Sequence, residues 1–369
     1  MLDKQEMRPI LREFMETPRL SGFEGPMARR FCEEMKKYTD SVQIDRLGNA
    51  IATFPGTDPQ APSAMVLSHL DTIGFILTRI DEGGFLFFDR MGGVPEKVLP
   101  GIAVEVGDED GGFHHGIIGC RAYHIQSPEQ KSKVDPIGNL FIDIGAKSRQ
   151  EVLEMGIQVG CPAIYAPRYI ELAGDRIAGS YIDAAAGLTN LVQIASALAQ
   201  RPARATVHLV GTVWEEFSAR GAMMAARTVK TDLAFSLLGP GAADTPDQRG
   251  AVSNVAMGGG PGVTLFNFHG KGTLNGNIAH RGLLKLLREA GEEEGIPLQR
   301  HAARGALSDT AYLQLEGEGI PCIDLGAPDR YSHSPMETVD LGDLEQVGRL
   351  VSAALYRLDR DFDLGRYPA

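Results

Sequence analysis

The sequence predicts an α/β fold: a mixed sheet flanked by helices and interrupted by a small β-barrel domain. Three observations carry this expectation. Strand-like and helix-like runs alternate in residues 1–74 and again in 171–369. Between them, residues 75–170 are rich in glycine, with short β-prone runs between the glycines, the texture of a small barrel. Outside that middle stretch, several predicted strands end on acidic or imidazole residues, where open α/β sheets collect ligands.

Taken in order, residues 7–38 read as two helices. Ile10, Leu11, Phe14 and Met15 make one apolar face, and Met27, Phe31 and Met35 recur at four-residue spacing on the other. The breaker-rich turn from Leu20 to Pro26 separates them. Val42 to Phe54 reads as a hairpin around Leu47-Gly48-Asn49, and Ala64 to Ser68 as a buried strand running into His69. Ser148 to Met155 is the helical piece of the β-rich middle, which is expected to be an inserted domain. Arg176 to Tyr181 is a strand ending near Asp183, and Leu188 to Leu198 gives a helix face. Ala205 to Val213 is the strand before Trp214-Glu215-Glu216, with a helix expected from Gly221. Leu233 to Leu238, Val263 to Asn267 and Ile320 to Leu325 read as strands. Ile278 to Ala290 and the stretch holding Leu344, Val347, Val351 and Leu355 read as helices.

Composition excludes several classes. The chain has 369 residues and a net charge of −12, against a nucleic-acid protein, which carries a basic patch. Four scattered cysteines form neither a disulfide framework nor a zinc-finger pattern, and fit reduced thiols in a cytoplasm. The charged start, Met1 to Glu6, lacks a signal peptide's apolar core. No run is read as reaching the ~18–20 apolar residues of a membrane span.

The chemistry gathers at strand ends: His69 with Asp71, Asp183, Glu215 with Glu216, and His333. Each alone has an ordinary structural reading as a satisfied histidine or an exposed acid. Together they offer nitrogen and carboxylate oxygen ligands suited to zinc, cobalt or manganese, and to the two-ion clamp of aminopeptidases. Gly258 to Gly262 does not match the dinucleotide fingerprint, because Pro261 sits where a helix should open, and there is no G-x-S-x-G elbow.

Over nearly its whole length the chain resembles the tetrahedral aminopeptidase (TET) and glutamyl aminopeptidase family, some of whose members carry the label endoglucanase. The resemblance rests on His69 to Gly74, Asn139 to Ala146, Trp214-Glu215-Glu216 with Arg220-Gly221-Ala222, Asp244-Thr245-Pro246, Gly258 to Pro261, Ser308-Asp309 and Arg330 to Pro335. It implies a zinc-peptidase-like catalytic domain built from residues 1–74 and 171–369, with 75–170 as a dimerisation domain. It implies His69 as ligand of a first metal with Asp71 orienting its ring, Asp183 as the bridge, and Glu216 with His333 as ligands of a second metal. Glu215 would be the general base. It also implies divalent metal, zinc or cobalt with manganese as a further option, at one or two per chain. Short peptides would be trimmed from the amino end, and dimers would build a tetrahedral dodecamer. Trp214, Arg220 and Gly258 to Gly260 are candidate peptide contacts.

The chain departs from that pattern at three places. Aligned without gaps from Asp244-Thr245-Pro246, Leu238 stands where the family has a metal-binding Asp. Ala184-Ala185 replaces a polar residue and an Arg, and Thr72 replaces a usual Glu. Two expectations follow: an aminopeptidase with a depleted first metal site, or a catalytically impaired relative acting as a peptide-binding or assembly subunit.

Overall fold

The computed structural model describes residues 1–249, 253–269 and 276–367. The chain opens with α1 (Lys4–Glu16) and α2 (Gly25–Met35). Asp3 caps α1 by accepting from the amides of Gln5 and Glu6, and Glu6 accepts the Asp3 amide in return. The expected apolar stripes are the buried faces: Leu11, Phe14 and Met15 on α1, Met27, Phe31 and Met35 on α2. The hairpin follows as β1 (Val42–Ile44) and β2 (Ala50–Phe54). Its turn is held by Asp45, whose Oδ1 accepts from Leu47, Gly48 and Asn49. β3 (Ala64–His69) is buried throughout.

The glycine-rich middle forms β4 (Gly74–Ile80), β5 (Leu86–Met91), β6 (Ala103–Gly107), β7 (Phe113–Ile118), β8 (Ile142–Asp143), α3 (Arg149–Glu154) and β9 (Pro162–Tyr165). The six strands close in the order β4-β5-β8-β7-β6-β9. Alternate residues such as Phe75, Leu77, Val104 and Val106 fill the interior, a core distinct from that under the large sheet.

The rest of the chain forms β10 (Tyr169–Glu171), β11 (Arg176–Gly179), α4 (Ile182–Gln200), β12 (Val207–Thr212), α5 (Gly221–Val229) and β13 (Leu233–Leu237). Then come β14 (Gly262–Phe268), β15 (Gly276–Ile278), α6 (Arg281–Glu294), β16 (Gln299–Arg304), α7 (Thr310–Leu313) and β17 (Cys322–Gly326). β18 (Asp329–Arg330), β19 (Glu337–Asp340) and α8 (Leu341–Arg357) end the fold. Among the described residues the large sheet runs β1-β2-β12-β3-β13-β17-β14-β15, with β16 on β14; β10-β11-β19-β18 make a smaller sheet.

Four central strands, β12, β3, β13 and β17, are parallel neighbours. His69 is level with Thr212, and Leu237 with Leu325. Their carboxyl ends therefore share one rim of the sheet, and the chemistry-bearing segments leave from that rim. A groove of about 610 Å³ beside Arg227, Lys230, Asp232 and Glu316 lies at the opposite rim.

Two expectations are corrected. Ile278 belongs to β15, and the helix begins only at Arg281; antiparallel pairing of Phe266 with Ile278 overrides the local helical pattern. The expectation of no span-length apolar run also fails, because α4 is long and apolar enough to cross a membrane by length and composition. It is 83% buried within the fold, packed against α1, α8 and β3, which is the position of a core helix apolar on all sides.

Candidate metal centre

The rim assembles the site from segments far apart in sequence. His69 is the last residue of β3, and Asp183 sits at the entry to α4, where the backbone is not yet helical. Glu215 and Glu216 follow β12, and His333 lies between β18 and β19. Asp183, Glu216 and His333 each present a ligand atom, all within 4.8 Å of one another. His333 Nε2 stands 3.6 Å from Asp183 Oδ2 and 3.6 Å from Glu216 Oε1. His69 Nε2 lies 2.9 Å from Asp183 Oδ1. Asp183 thus faces one imidazole with each oxygen. One nitrogen and two carboxylates at this spacing are a donor set for a borderline divalent ion such as zinc.

Buried acceptors hold the ligand-bearing backbone in place. Glu337 accepts from the amide of His333 at 2.7 Å and from that of Asp183 at 2.9 Å, tying the two segments together. Asp71 accepts from the amides of Glu215 and Glu216 at 3.1 and 3.0 Å, and from Ser21 Oγ at 2.5 Å. The acceptor for His69 Nδ1 is the main-chain carbonyl of Asp71, at 3.1 Å; the Asp71 carboxylate is 3.7 Å from that nitrogen. The Asp71 side chain therefore fixes the Glu turn, while its carbonyl sets the His69 ring.

The barrel reaches the site as well. His333 Nδ1 donates to the carbonyl of Gly93, at 2.9 Å, which leaves Nε2 free to point at the carboxylates. A Cβ on Gly93 would lie 2.8 Å from that nitrogen, and one on Gly92 would lie 3.1 Å from Glu216 Oε2. Glycine at both positions is what permits this approach.

Backbone strain concentrates here. Tyr181, Trp214, Ser218, Ala219, Tyr331 and His333 have positive φ, and Lys230, at a helix end, is the other described non-glycine residue that does. Left-handed conformations at bulky residues persist where surrounding contacts over-determine them, as at functional sites.

The electrostatics follow from burying acids together. Burial raises the Glu216 carboxyl to about 7 against the pull of His333. It raises Glu215 well above the carboxylate range, with Glu216 adding to the shift and His69 opposing it. Burial would lift Asp183 too, but the two imidazoles outweigh it and hold the group low. Burial depresses His333, but Asp183 and Glu216 more than reverse this, taking the imidazole up to about 11. Glu215, Asp183 and Asp71 likewise hold His69 high against burial. Protons on the imidazoles and acids thus compensate the cluster, and a ligated cation has to displace them.

The three departures are all at this centre. Leu238 is half-buried at the end of β13 and lines a cleft of about 30 Å³ with Asp183 and Asp329. Thr72 is buried, with no partner for its hydroxyl. Ala184 and Ala185 are buried and apolar.

Of the candidate peptide contacts, Trp214 stacks edge-on against Phe217 and Arg220 lies over the Phe217 ring, so these residues form one surface beside the Glu pair. Gly258 and Gly260 donate to Asp343 at the start of α8, which gives that loop a structural role.

Sequence reasoning missed Glu337, Gly92-Gly93 and two further buried acids. Asp309, pushed by burial to about 7, accepts from Thr212 Oγ1 at 2.7 Å. Asp329, pushed by burial and by Asp183 to about 7, follows β17. Glu337, four residues after His333, carries no motif, and the glycines read as barrel texture.

Comparisons with known proteins place the chain in a family. The M42 glutamyl aminopeptidase family profile matches residues 48–350. The chain is 37% identical over 335 residues to SgcX of Escherichia coli (strain K12), covering 90% of this chain and 89% of that one. It is 29% identical over 353 residues to the lysyl aminopeptidase of Pyrococcus furiosus, covering 95% and 96%. Among solved structures, aminopeptidase APDkam598 of Desulfurococcus kamchatkensis superposes with a TM-score of 0.91 at 29% identity, covering 97% of both chains. From its sequence match and its fold, the chain belongs to the M42 glutamyl aminopeptidase family.

Proposed function

We propose that the protein is a metal-dependent aminopeptidase that removes residues from the amino ends of short peptides. The observation that carries this reading is the convergence of Asp183, Glu216 and His333 to within 4.8 Å, directly beside Glu215. Asp183, Glu216 and His333 would hold one divalent ion, zinc or cobalt with manganese as a further option. His69 would hold a second together with Asp183. When bound, such ions polarise a scissile carbonyl and make water a nucleophile at neutral pH.

The chain's own groups supply the rest. Glu215 takes a proton from the attacking water as the new C–O bond forms; burial raises its carboxyl, which favours holding that proton. As the C–N bond breaks, the same carboxyl returns that proton to the departing amine. Asp71 fixes the direction of Glu215 through its amide, and Glu337 fixes Asp183 and His333 relative to each other. Trp214, Phe217 and Arg220 offer a wall for the peptide.

Residues 75–170 form the dimerisation unit in this reading. Ile117, Tyr123, Ile125 and Val134 stand exposed on it, an apolar surface suited to a second copy. Among the structural relatives, TET1 of Pyrococcus horikoshii can assemble into a tetrahedron or a large octahedral shell. It superposes with a TM-score of 0.84 at 27% identity, covering 95% of this chain and 100% of that one. A tetrahedral dodecamer built from dimers, in the cytoplasm, is the corresponding assembly here, and light scattering on the purified protein measures it.

The functional test is cleavage of aminoacyl anilides and short peptides by protein supplied with zinc, cobalt or manganese. Turnover that disappears in Glu215→Gln is expected; no cleavage above that variant by the wild-type chain overturns the reading. A second reading, a catalytically impaired peptide-binding or assembly subunit, is favoured by Leu238, Thr72 and Ala184-Ala185. It predicts peptide binding without cleavage at any metal supplement.

A further inference from the structure

The acid missing at position 238 directs attention to the neighbouring strand. β13 and β17 are parallel, and Leu237 is level with Leu325, so Leu238 comes level with Gly326. The two chains leave the sheet almost in contact. A Cβ on Gly326 would lie 2.4 Å from Gly239 N, and one on Gly239 would lie 2.0 Å from Ala327 O. The chain after β17 therefore passes over the position where Leu238 stands and delivers Asp329 three residues on. Asp329 is pinned there: its carbonyl accepts from the Ala242 amide at 2.6 Å, it bridges Gly241, and it pairs with Val339.

Its side chain is in an unusual state. Asp329 lines the small cleft shared by Leu238 and Asp183. Its Oδ2 is sealed from solvent and has no hydrogen-bond partner. The Ser332 hydroxyl, three residues on, stands 3.5 Å from Asp183 Oδ2. A sealed carboxylate oxygen without a donor is costly unless a cation approaches it. Leucine at 238 offers no lone pair, so along this part of the cleft the carboxylate comes from the adjacent strand.

We propose that Asp329 is the ligand that replaces the acid absent at position 238, so that the centre holds two divalent ions per chain. This rests on the reading of the centre as a metal site. In this structure Asp329 stands outside the converging trio of Asp183, Glu216 and His333. Ligation requires its carboxylate to swing about χ1 and χ2 toward Asp183, across the cleft of about 30 Å³ that the two residues line.

The test is metal uptake by the full chain, stripped with a chelator and titrated with Co²⁺. Calorimetry and the visible absorption of the bound ion give stoichiometry and affinity without reference to turnover. The wild-type chain is expected to bind two Co²⁺, and Asp329→Asn one. Leu238→Asp added to Asp329→Asn should restore the second. Leu238→Asp alone should change the weaker affinity by less than about ten-fold, since the ligand is already supplied. Two ions of unchanged affinity in Asp329→Asn, or a hundred-fold gain in Leu238→Asp alone, overturns the assignment. So does a wild-type chain that binds one ion, with Asp329→Asn identical to it; both results leave the metal-site reading standing. A wild-type chain that binds no Co²⁺ removes both. Should Asp329→Asn fail to fold, Leu238→Asp alone still decides.

Discussion

The two sides of Asp183 are built differently. Toward Oδ2, Glu216 and His333 converge with Asp183 to within 4.8 Å, and each is held by a separate anchor. Asp71 takes the Glu216 amide, Glu337 the His333 amide, and the Gly93 carbonyl the His333 ring. Toward Oδ1, His69 meets Asp183 directly, while Leu238 and Ala184, which offer no side-chain donor atom, line the cleft beside Asp183. Convergence follows anchoring: the backbone of each ligand on the tight side is fixed by a buried acceptor. On the other side no buried acceptor of this kind ties the His69 backbone to that of Asp183 among the contacts described above.

The largest effect is expected away from both metals' ligands. Glu215→Gln keeps the shape and removes the proton acceptor, so kcat should fall by about 10³-fold with metal content unchanged. A parallel loss of metal, read by elemental analysis, would instead make Glu215 part of the binding set. Next comes a direct contrast between the sides. His333→Ala should abolish tight binding of the first equivalent of Co²⁺, a larger loss than the ~10–100-fold seen when an outer partner of a ligand is removed. His69→Ala should leave that equivalent in place and weaken only the second. Equal effects in a calorimetric titration would show that the asymmetry has no energetic content.

Smaller changes probe the anchors. Gly93→Ala places a methyl 2.8 Å from His333 Nδ1 and should weaken the tight site by about ten-fold through the ring's orientation. Glu337→Gln presents an NH₂ to one of two amide donors and should cost about 1–3 kcal/mol of stability, measured by denaturant unfolding.

The smallest effect is with pH. Glu216, Asp309 and Asp329 have folded values near 7, above the ordinary carboxylate range. Between those limits the folded state holds more protons than the unfolded chain, so stability falls as pH rises. His333, raised to about 11, acts in the same direction: its contribution is complete below its ordinary value near 6.5 and is lost as pH climbs toward 11. The melting temperature of chelator-treated protein should therefore decline from pH 5 to 8. Metal affinity should rise over the same range, because ligation releases those protons. A melting temperature that rises with pH would contradict the arrangement of acids described here.

The sequence by itself determined the periodic elements and the residues with chemistry. The apolar stripe of α1, the turn around Leu47-Gly48-Asn49 and the strand before Glu215 were legible because each depends on neighbours a few residues away. His69, Asp183, Glu216 and His333 were legible as strand-end donors, and as a set through family resemblance. Ile278 was misread, because pairing with Phe266 outweighs a local helical pattern. Only the tertiary structure decided which donors converge. It also showed that the Asp71 side chain holds the Glu turn while its carbonyl holds His69, that two barrel glycines touch the centre, that Glu337 ties two of its segments together and that Asp329 lines a cleft beside it. Those facts rest on contacts between segments up to 240 residues apart, as between His333 and Gly93, and local pattern carries no record of distances set by sheet register and packing.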